Sequence, residues 1–188
     1  MNESLPFAER VRASAQHLQE RGVDALSALY DLAAARLVRF AVAITQNQHD
    51  AEDAVQSVLV RVGTRPSLLN SANCPWQYLL GMVRNEALAI ARRKRRYSLL
   101  ASFAEFVTRQ PPDRVESEDQ RQLVWRALRS LPPPQAEVVA LKVWENLTFA
   151  QIAEITQTSA NTAASRYRYA LRKLAGTLAT LQTEVHDV

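Results

Sequence analysis

Residues 148–174, TFAQIAEITQTSANTAASRYRYALRKL, decide the fold. Thr148 with Gln151 three residues on has capping-box spacing, in which a hydroxyl and an amide side chain satisfy each other's backbone N–H groups at a helix start. Ile152, Ala153 and Ile155 give a short apolar face. The pattern stops over Thr156-Gln157-Thr158-Ser159 and resumes near Ala160, with Ala163, Tyr167, Ala170, Leu171 and Leu174 on one helical side. A short helix, a four-residue turn and a longer helix make a helix-turn-helix. Such a unit lays its second helix in the major groove, where the first turns reach base edges. Removing the apolar stripe leaves Asn161, Thr162, Ser165, Arg166, Arg168, Tyr169 and Arg172 for the outer surface. Short polar groups lead and arginines follow, as base reading backed by phosphate contact requires. An ordinary helical hairpin with a solvated arginine face fits the same pattern and is the plainer alternative.

Upstream the chain is helical almost throughout. A helix from about Val115 to Leu131, buried through Leu123, Val124, Ala127 and Leu128, is stopped by Pro132-Pro133-Pro134. Pro134 suits the first position of the next helix, where a missing N–H costs nothing, and Val138, Val139, Leu141 and Val143 form its apolar side. Residues 100–115 lose the periodicity, and Pro111-Pro112 marks a linker. Nearer the N-terminus, Leu26, Leu29, Tyr30, Ala33, Leu37, Phe40, Ala41 and Ile44 recur at spacings of three and four, predicting one long amphipathic helix. After a break at Thr45–His49, Asp50 can cap a second helix, with Ala51, Ala54, Val55, Val58, Leu59 and Val62 inside and Gly63 and Pro66 ending it. Residues 64–75 read as a loop. A third helix runs from about Trp76 to Tyr97, with Tyr78, Leu79, Met82, Val83, Ala87 and Ile90 on its apolar side. No strand survives this reading. The fold class is all-α: two small helical domains joined by an acidic linker. The boundaries are an N-terminal extension at 1–23, domains at 24–98 and 116–181, a linker at 99–115 and a tail at 182–188.

Composition narrows the function. The chain has 188 residues and four glycines, too few for glycine-rich phosphate loops. Its single cysteine, Cys74, excludes an intramolecular disulfide framework and any multi-cysteine zinc site. His17, His49 and His186 are scattered, and no metal or cofactor is expected. No nucleophile–base pair stands out, so the chain is not expected to be an enzyme and no catalytic residue is assigned. The acidic start MNESLPFAER is no secretory signal, and no apolar run approaches the roughly 18 residues of a membrane span. Both point to a cytoplasmic protein without membrane insertion.

Charge is the informative axis. The formal net charge is +4 and the pI about 9.6. The 23 basic residues are 20 Arg and 3 Lys, which fits bidentate phosphate and base contacts and equally a GC-rich genome. Residues 84–96, RNEALAIARRKRR, carry six basic side chains and one acid; residues 166–173, RYRYALRK, carry four and none; residues 113–119, DRVESED, hold four acids and one Arg. Arg92, Arg93, Lys94, Arg95 and Arg96 are consecutive and wrap round a helix, which suits phosphate contact. Trp76 and Tyr78 lie just upstream, and aromatics beside a basic stripe resemble a stacking platform for unpaired bases. Tyr78, on the apolar stripe, reads better as core; for Trp76, at a helix start after Pro75, both readings stand. Asp50, Glu52 and Asp53, with Gln56 one turn on, crowd a helix N-terminus, where the macrodipole accounts for them.

These clusters, in this order, resemble the extracytoplasmic-function group of sigma-70 family sigma factors. ALYDLAAARLVRFAVAITQNQHDAEDAVQSVLVRV looks like the first part of their region 2, with DAEDAVQ the most telling string. YLLGMVRNEALAIARRKRR looks like the rest of region 2, and SLPPPQAEVVALKVWENLTFAQIAEITQTSANTAASRYRYALRKL like region 4. The resemblance spans roughly residues 24–175.

It implies a protein that binds core RNA polymerase and directs it to promoter DNA. Asp50, Asp53 and Gln56 would contact the clamp helices of the largest subunit, and region 4 would grip the flap of the second-largest. The loop from about Arg65 to Cys74 and the helix from Trp76 to Arg96 would recognise and melt the minus-ten element, with Arg84 and Asn85 matching the family's RN pair and Arg92 and Arg93 on the same helix. Thr162, Ser165 and Arg166 match the recognition-helix pattern for the minus-35 element, with Asn161, Arg168 and Arg172 beside them. An anti-sigma factor is a further implied partner. Gln157 stands where the family usually has Gly, which would cost about 1 kcal/mol in a left-handed turn. Residues 1–23 have no counterpart in the resemblance. A floppy arm is their simplest reading, beside a surface-masking helix or a partner site. The alternatives to a sigma factor are a stand-alone helix-turn-helix regulator and a sigma-like decoy that holds polymerase without initiating.

Overall fold

In a computed structural model the chain is described over residues 6–101 and 119–186, with side chains described over 6–96 and 124–177. Of the linker expected at 99–115, residues 99–101 are helical instead, and the rest, with Pro111-Pro112 and the acidic residues of 113–118, lies outside the described residues. Every regular element among those residues is helical. The chain divides into two compact units, Met1–Arg92 and Arg93–Val188.

In the first unit, α1 (Phe7–Arg21) leads through a 3-10 turn (Gly22–Ala25) into α2 (Leu26–Thr45). Over Phe7–Arg21 the outcome corrects the floppy arm expected for the N-terminal extension. Val11, Ala15 and Leu18, at i, i+4 and i+7, are fully buried, and α1 packs on α2. That stripe makes the segment a docked helix. Gly22 ends it at φ 62, a conformation natural to glycine. Along α2, Leu29, Ala33, Leu37, Phe40, Ala41 and Ile44 are buried as expected, but Tyr30 is exposed and Leu26 half-buried.

Next come α3 (Gln48–Thr64), a single turn α4 (Ser67–Asn70) inside the expected loop, and α5 (Pro75–Ala101). Asn47, not Asp50, caps α3: its side chain accepts from the Asp50 N–H at 2.9 Å. The residue preceding it, Gln46, is left-handed at φ 56, so α2 and α3 are joined with almost no loop. Gly63 does not end α3 but lies within it. A Cβ there would stand 2.8 Å from Leu26 Cδ2, so the glycine serves the close approach of the α2 start. Arg61 and Glu86, 3.2 Å apart, tie α3 to α5.

The second unit contains α6 (Asp119–Arg129), α7 (Pro133–Val143), α8 (Phe149–Thr156) and α9 (Ala160–His186). Its core is Ala127, Leu128, Leu131, Ala136, Val138, Val139, Leu141, Leu147, Ile152, Ile155, Ala163 and Ala170. Trp125 and Trp144 pack with ring centroids 5.3 Å apart. Val124, Val143 and Leu171, expected inside, are exposed. Pro133 rather than Pro134 opens α7.

Candidate nucleic-acid interface

The helix-turn-helix is set by short-range bonds. The Thr148 hydroxyl accepts from the Gln151 backbone N–H at 3.3 Å, and the Gln151 side-chain oxygen Oε1 accepts from the Thr148 backbone N–H at 2.9 Å. Both halves of the capping box are present. The turn closes at Gln157, left-handed at φ 54 and ψ 46, and the Thr158 N–H donates to the Ala153 carbonyl at 3.0 Å. Ser159 then caps α9, accepting from the Thr162 N–H at 3.0 Å. Phe149 and Tyr167, with centroids 5.7 Å apart, seat α8 on α9.

From that start α9 presents two neighbouring polar stripes. Asn161, Ser165, Arg168 and Arg172 stand at i, i+4, i+7 and i+11, and Thr162, Arg166, Tyr169 and Lys173 repeat the spacing one residue on. Ser165 and Arg166 are half-buried and the other six exposed. Arg168 donates to the Ser165 hydroxyl at 3.3 Å, and the Arg172 guanidinium sits 4.7 Å from the Tyr169 ring centre. The structure thus brings together all six minus-35 candidates, with Tyr169 and Lys173 beside them.

The first unit holds a surprise in its aromatics. Trp76 is 3% exposed: its ring meets Phe7 of α1 edge-on at 4.8 Å, and the Arg36 guanidinium lies 3.8 Å from the Phe7 ring centre. A ring so covered has no face for an unpaired base, which corrects its assignment to the DNA surface. Tyr78, expected in the core, is 41% exposed. The physical reason is helical phase. Leu80, absent from the expected stripe, is buried, so the apolar face runs through Trp76, Leu79, Leu80, Val83 and Ala87 and leaves Tyr78 outside it. Tyr78, Asn85 and Arg92 then fall at i, i+7 and i+14, with Arg96 one turn further, all exposed on the outward side of α5. Arg93 is exposed on a neighbouring line, and Arg84 is half-buried at its edge. The missed residue was legible, since heptad spacing links Tyr78 to Asn85.

On α3 the acidic cluster divides. Asp50 is 5% exposed and faces inward, so it offers nothing to a partner. Asp53 and Gln56 are exposed, and Val60 continues their line at 62% exposure, with His49 before them. His49 Nε2 lies 3.7 Å from Asp53 Oδ2. Val60 is the second residue sequence reading missed: it falls outside the expected apolar stripe, and its i+4 spacing from Gln56 is the signal that could have found it. Among the described residues no group of His, Cys, Asp or Glu is arranged to hold a metal, and no helix is long and apolar enough to cross a membrane.

Comparison with known proteins places this geometry. Residues 29–97 match the sigma-70 region 2 family and residues 121–174 the sigma-70 region 4 family. The ECF RNA polymerase sigma factor SigL of Mycobacterium tuberculosis is 31% identical over 159 residues, covering 83% of this chain and 90% of the relative. The ECF sigma factor SigK of Mycobacterium sp. strain KMS is 27% identical over 165 residues, 85% of this chain and 86% of the relative. Among solved structures, the sigma factor RpoE of Bartonella quintana, crystallised with the anti-sigma factor NepR, has the same fold. Its TM-score is 0.61 at 24% identity, covering 76% of this chain and 89% of that one. With both region families matched in order, and a sigma factor related along most of its length, the chain belongs to the extracytoplasmic-function group of the sigma-70 family, the sigma factors that direct RNA polymerase to promoters.

Proposed function

We propose that the chain reads its promoter with two separate exposed stripes while a third surface holds core polymerase. Asn161, Thr162, Ser165, Arg166, Arg168 and Arg172 on α9 read the minus-35 element as duplex. The loop at 65–74 and the outward line of α5, Tyr78, Asn85, Arg92 and Arg96 with Arg84 and Arg93 at its sides, take the minus-ten strand after melting. Asp53, Gln56 and Val60 on α3 dock on the clamp of the largest subunit, and the second unit engages the flap of the second-largest. The chain carries no chemistry; polymerase supplies it. It works in the cytoplasm, where polymerase is, and an anti-sigma factor is the kind of partner that would restrain it.

The observation that supports this most is that α5 and α9 each carry an exposed line in which short polar groups precede arginines. Asn85 precedes Arg92 and Arg96 as Asn161 and Ser165 precede Arg168 and Arg172. Two modest sites on one chain gain affinity through effective concentration and make their spacing part of the code.

The test is transcription by purified bacterial core polymerase over a fragmented genomic library, with 5′ ends sequenced with and without this protein. New start sites sharing two upstream elements at fixed spacing are expected. Core binding without new starts would instead establish the decoy. Operator binding by the isolated chain, without core binding, would establish the stand-alone regulator.

A further inference from the structure

The loop between α3 and α5 has little to hold it from within. Its one helical turn, α4, buries a single leucine, Leu69. Its backbone bonds reach only three or four residues, such as Leu68 N–H to the Arg65 carbonyl and Ser71 N–H to the Ser67 carbonyl. So short a turn is unstable alone. What meets it is α1. Arg12, Gln16 and Gln19 repeat the i, i+4, i+7 spacing of the buried Val11, Ala15 and Leu18, one residue on. The apolar line docks α1 on the core and the polar line beside it faces the loop.

The contacts are directional. Arg12 Nη2 donates to the Asn73 carbonyl, and Asn70 Nδ2 donates to Gln19 Oε1 at 3.2 Å. Gln16, Gln19 and Glu20 form one wall of an open groove of about 500 Å³ whose other wall is Ser67, Asn70 and Ser71. At the N-terminal end of α1, Phe7 covers Trp76, the second residue of α5. The loop is therefore gripped at its helical turn, at its exit and at the helix it enters.

We propose that Arg12 and Gln19 are positioning residues for minus-ten recognition: α1, which precedes the residues matched by the region 2 family, holds the 65–74 loop in the shape that accepts the melted strand. The inference rests on the assignment of that loop to the minus-ten element. Neither side chain need touch DNA. Each acts through a loop atom, so its removal loosens the loop while the docked face of α1 stays intact.

Cys74, the chain's single cysteine, is half-buried at the exit of this loop and reports its state. The experiment compares the full-length chain with Arg12→Ala, Gln19→Ala, the double variant and Gln19→Glu, which keeps an acceptor for Asn70. Two readouts are taken: the reaction rate of the Cys74 thiol with an aromatic disulfide reagent, and holoenzyme transcription from promoters randomised at minus-ten. The expected result is a severalfold faster thiol reaction and a severalfold loss of minus-ten discrimination in the double variant, at unchanged core affinity. Gln19→Glu should restore part of what Gln19→Ala loses. An unchanged thiol rate would overturn the brace. A faster thiol with discrimination intact would overturn its role in promoter reading. Stronger promoter use by the variants would also overturn it and make α1 a cover rather than a brace. A wild-type holoenzyme indifferent to the minus-ten sequence would sink the loop assignment itself, and with it this inference.

Discussion

In the second unit, Thr148, Gln151, Ser159 and Thr162 fix the turn and the start of α9 through bonds that each span three residues. In the first, the loop before α5 is held by Arg12 and Gln19, 61 and 51 residues away in sequence. One proposed reading surface carries its geometry with it; the other takes its geometry from a distant helix. A bond three residues long forms as soon as the helix does. A bond fifty residues long waits on the packing of α1 against α2 and carries the loop-closure entropy of everything between. The two proposed promoter contacts therefore differ in how far a substitution can be felt.

The dependence of the first unit on α1 shows most strongly at Trp76 and Tyr78. Trp76→Ala removes a ring enclosed by Phe7 and the core, and should destabilise the first unit by about 3–5 kcal/mol, read as a lowered midpoint in denaturant unfolding. Tyr78→Ala, two residues on but outward, should leave stability within about 0.5 kcal/mol. Its loss should fall on minus-ten use, by about 1–3 kcal/mol if the ring stacks on an unpaired base. A Trp76→Ala protein as stable as wild type would mean that α1 does not enclose the ring in solution.

A smaller but sharper effect is expected in the second unit. Arg166→Ala should weaken use of promoters with a minus-35 element by about 1–3 kcal/mol, with unfolding unchanged. Equal losses on promoters with and without that element would remove Arg166 from base reading. Thr148→Ala should cost about 1 kcal/mol of stability by freeing the Gln151 N–H. Because the capping box is local, the unfolding of the first unit should not move with it.

How much could be read in advance follows the same division. The capping box, the turn at Gln157 and the polar residues of α9 were visible because each is a short-range pattern. The seven helices placed by periodicity were found because an apolar face recurs within every four residues. What failed was phase and distance. Tyr78 and Leu80 lie about 200° apart round α5, and an aromatic at a helical spacing reads as core until the buried face is seen to run through Leu80 instead. Asp50 read as a cap because the true cap, Asn47, sits one turn earlier and the break is only Gln46 and Asn47. For α1 the buried spacing of Val11, Ala15 and Leu18 was there to see, but Arg12 and Gln19 carry no mark that pairs them with Asn73 and Asn70. Three-dimensional packing alone supplies that pairing.

The smallest expected effect tests whether the turn is as self-contained as its bonds suggest. Gln157 holds φ 54 and ψ 46, a conformation that costs an L-residue with a Cβ about 1 kcal/mol. Gln157→Gly removes the clash and adds some backbone entropy to the unfolded chain, so the two terms oppose each other. The clash is the larger at a site already left-handed, and the second unit should gain up to about 1 kcal/mol. Its bonds do not involve the Gln157 side chain: the closure runs through backbone N–H groups, from Gln157 to the Glu154 carbonyl and from Thr158 to that of Ala153. The orientation of α9 should therefore be kept and minus-35 use stay as it was. A stabilised turn with lost minus-35 use would show that Gln157 reads or positions DNA, and that this position was left non-glycine for function rather than tolerated at a small cost.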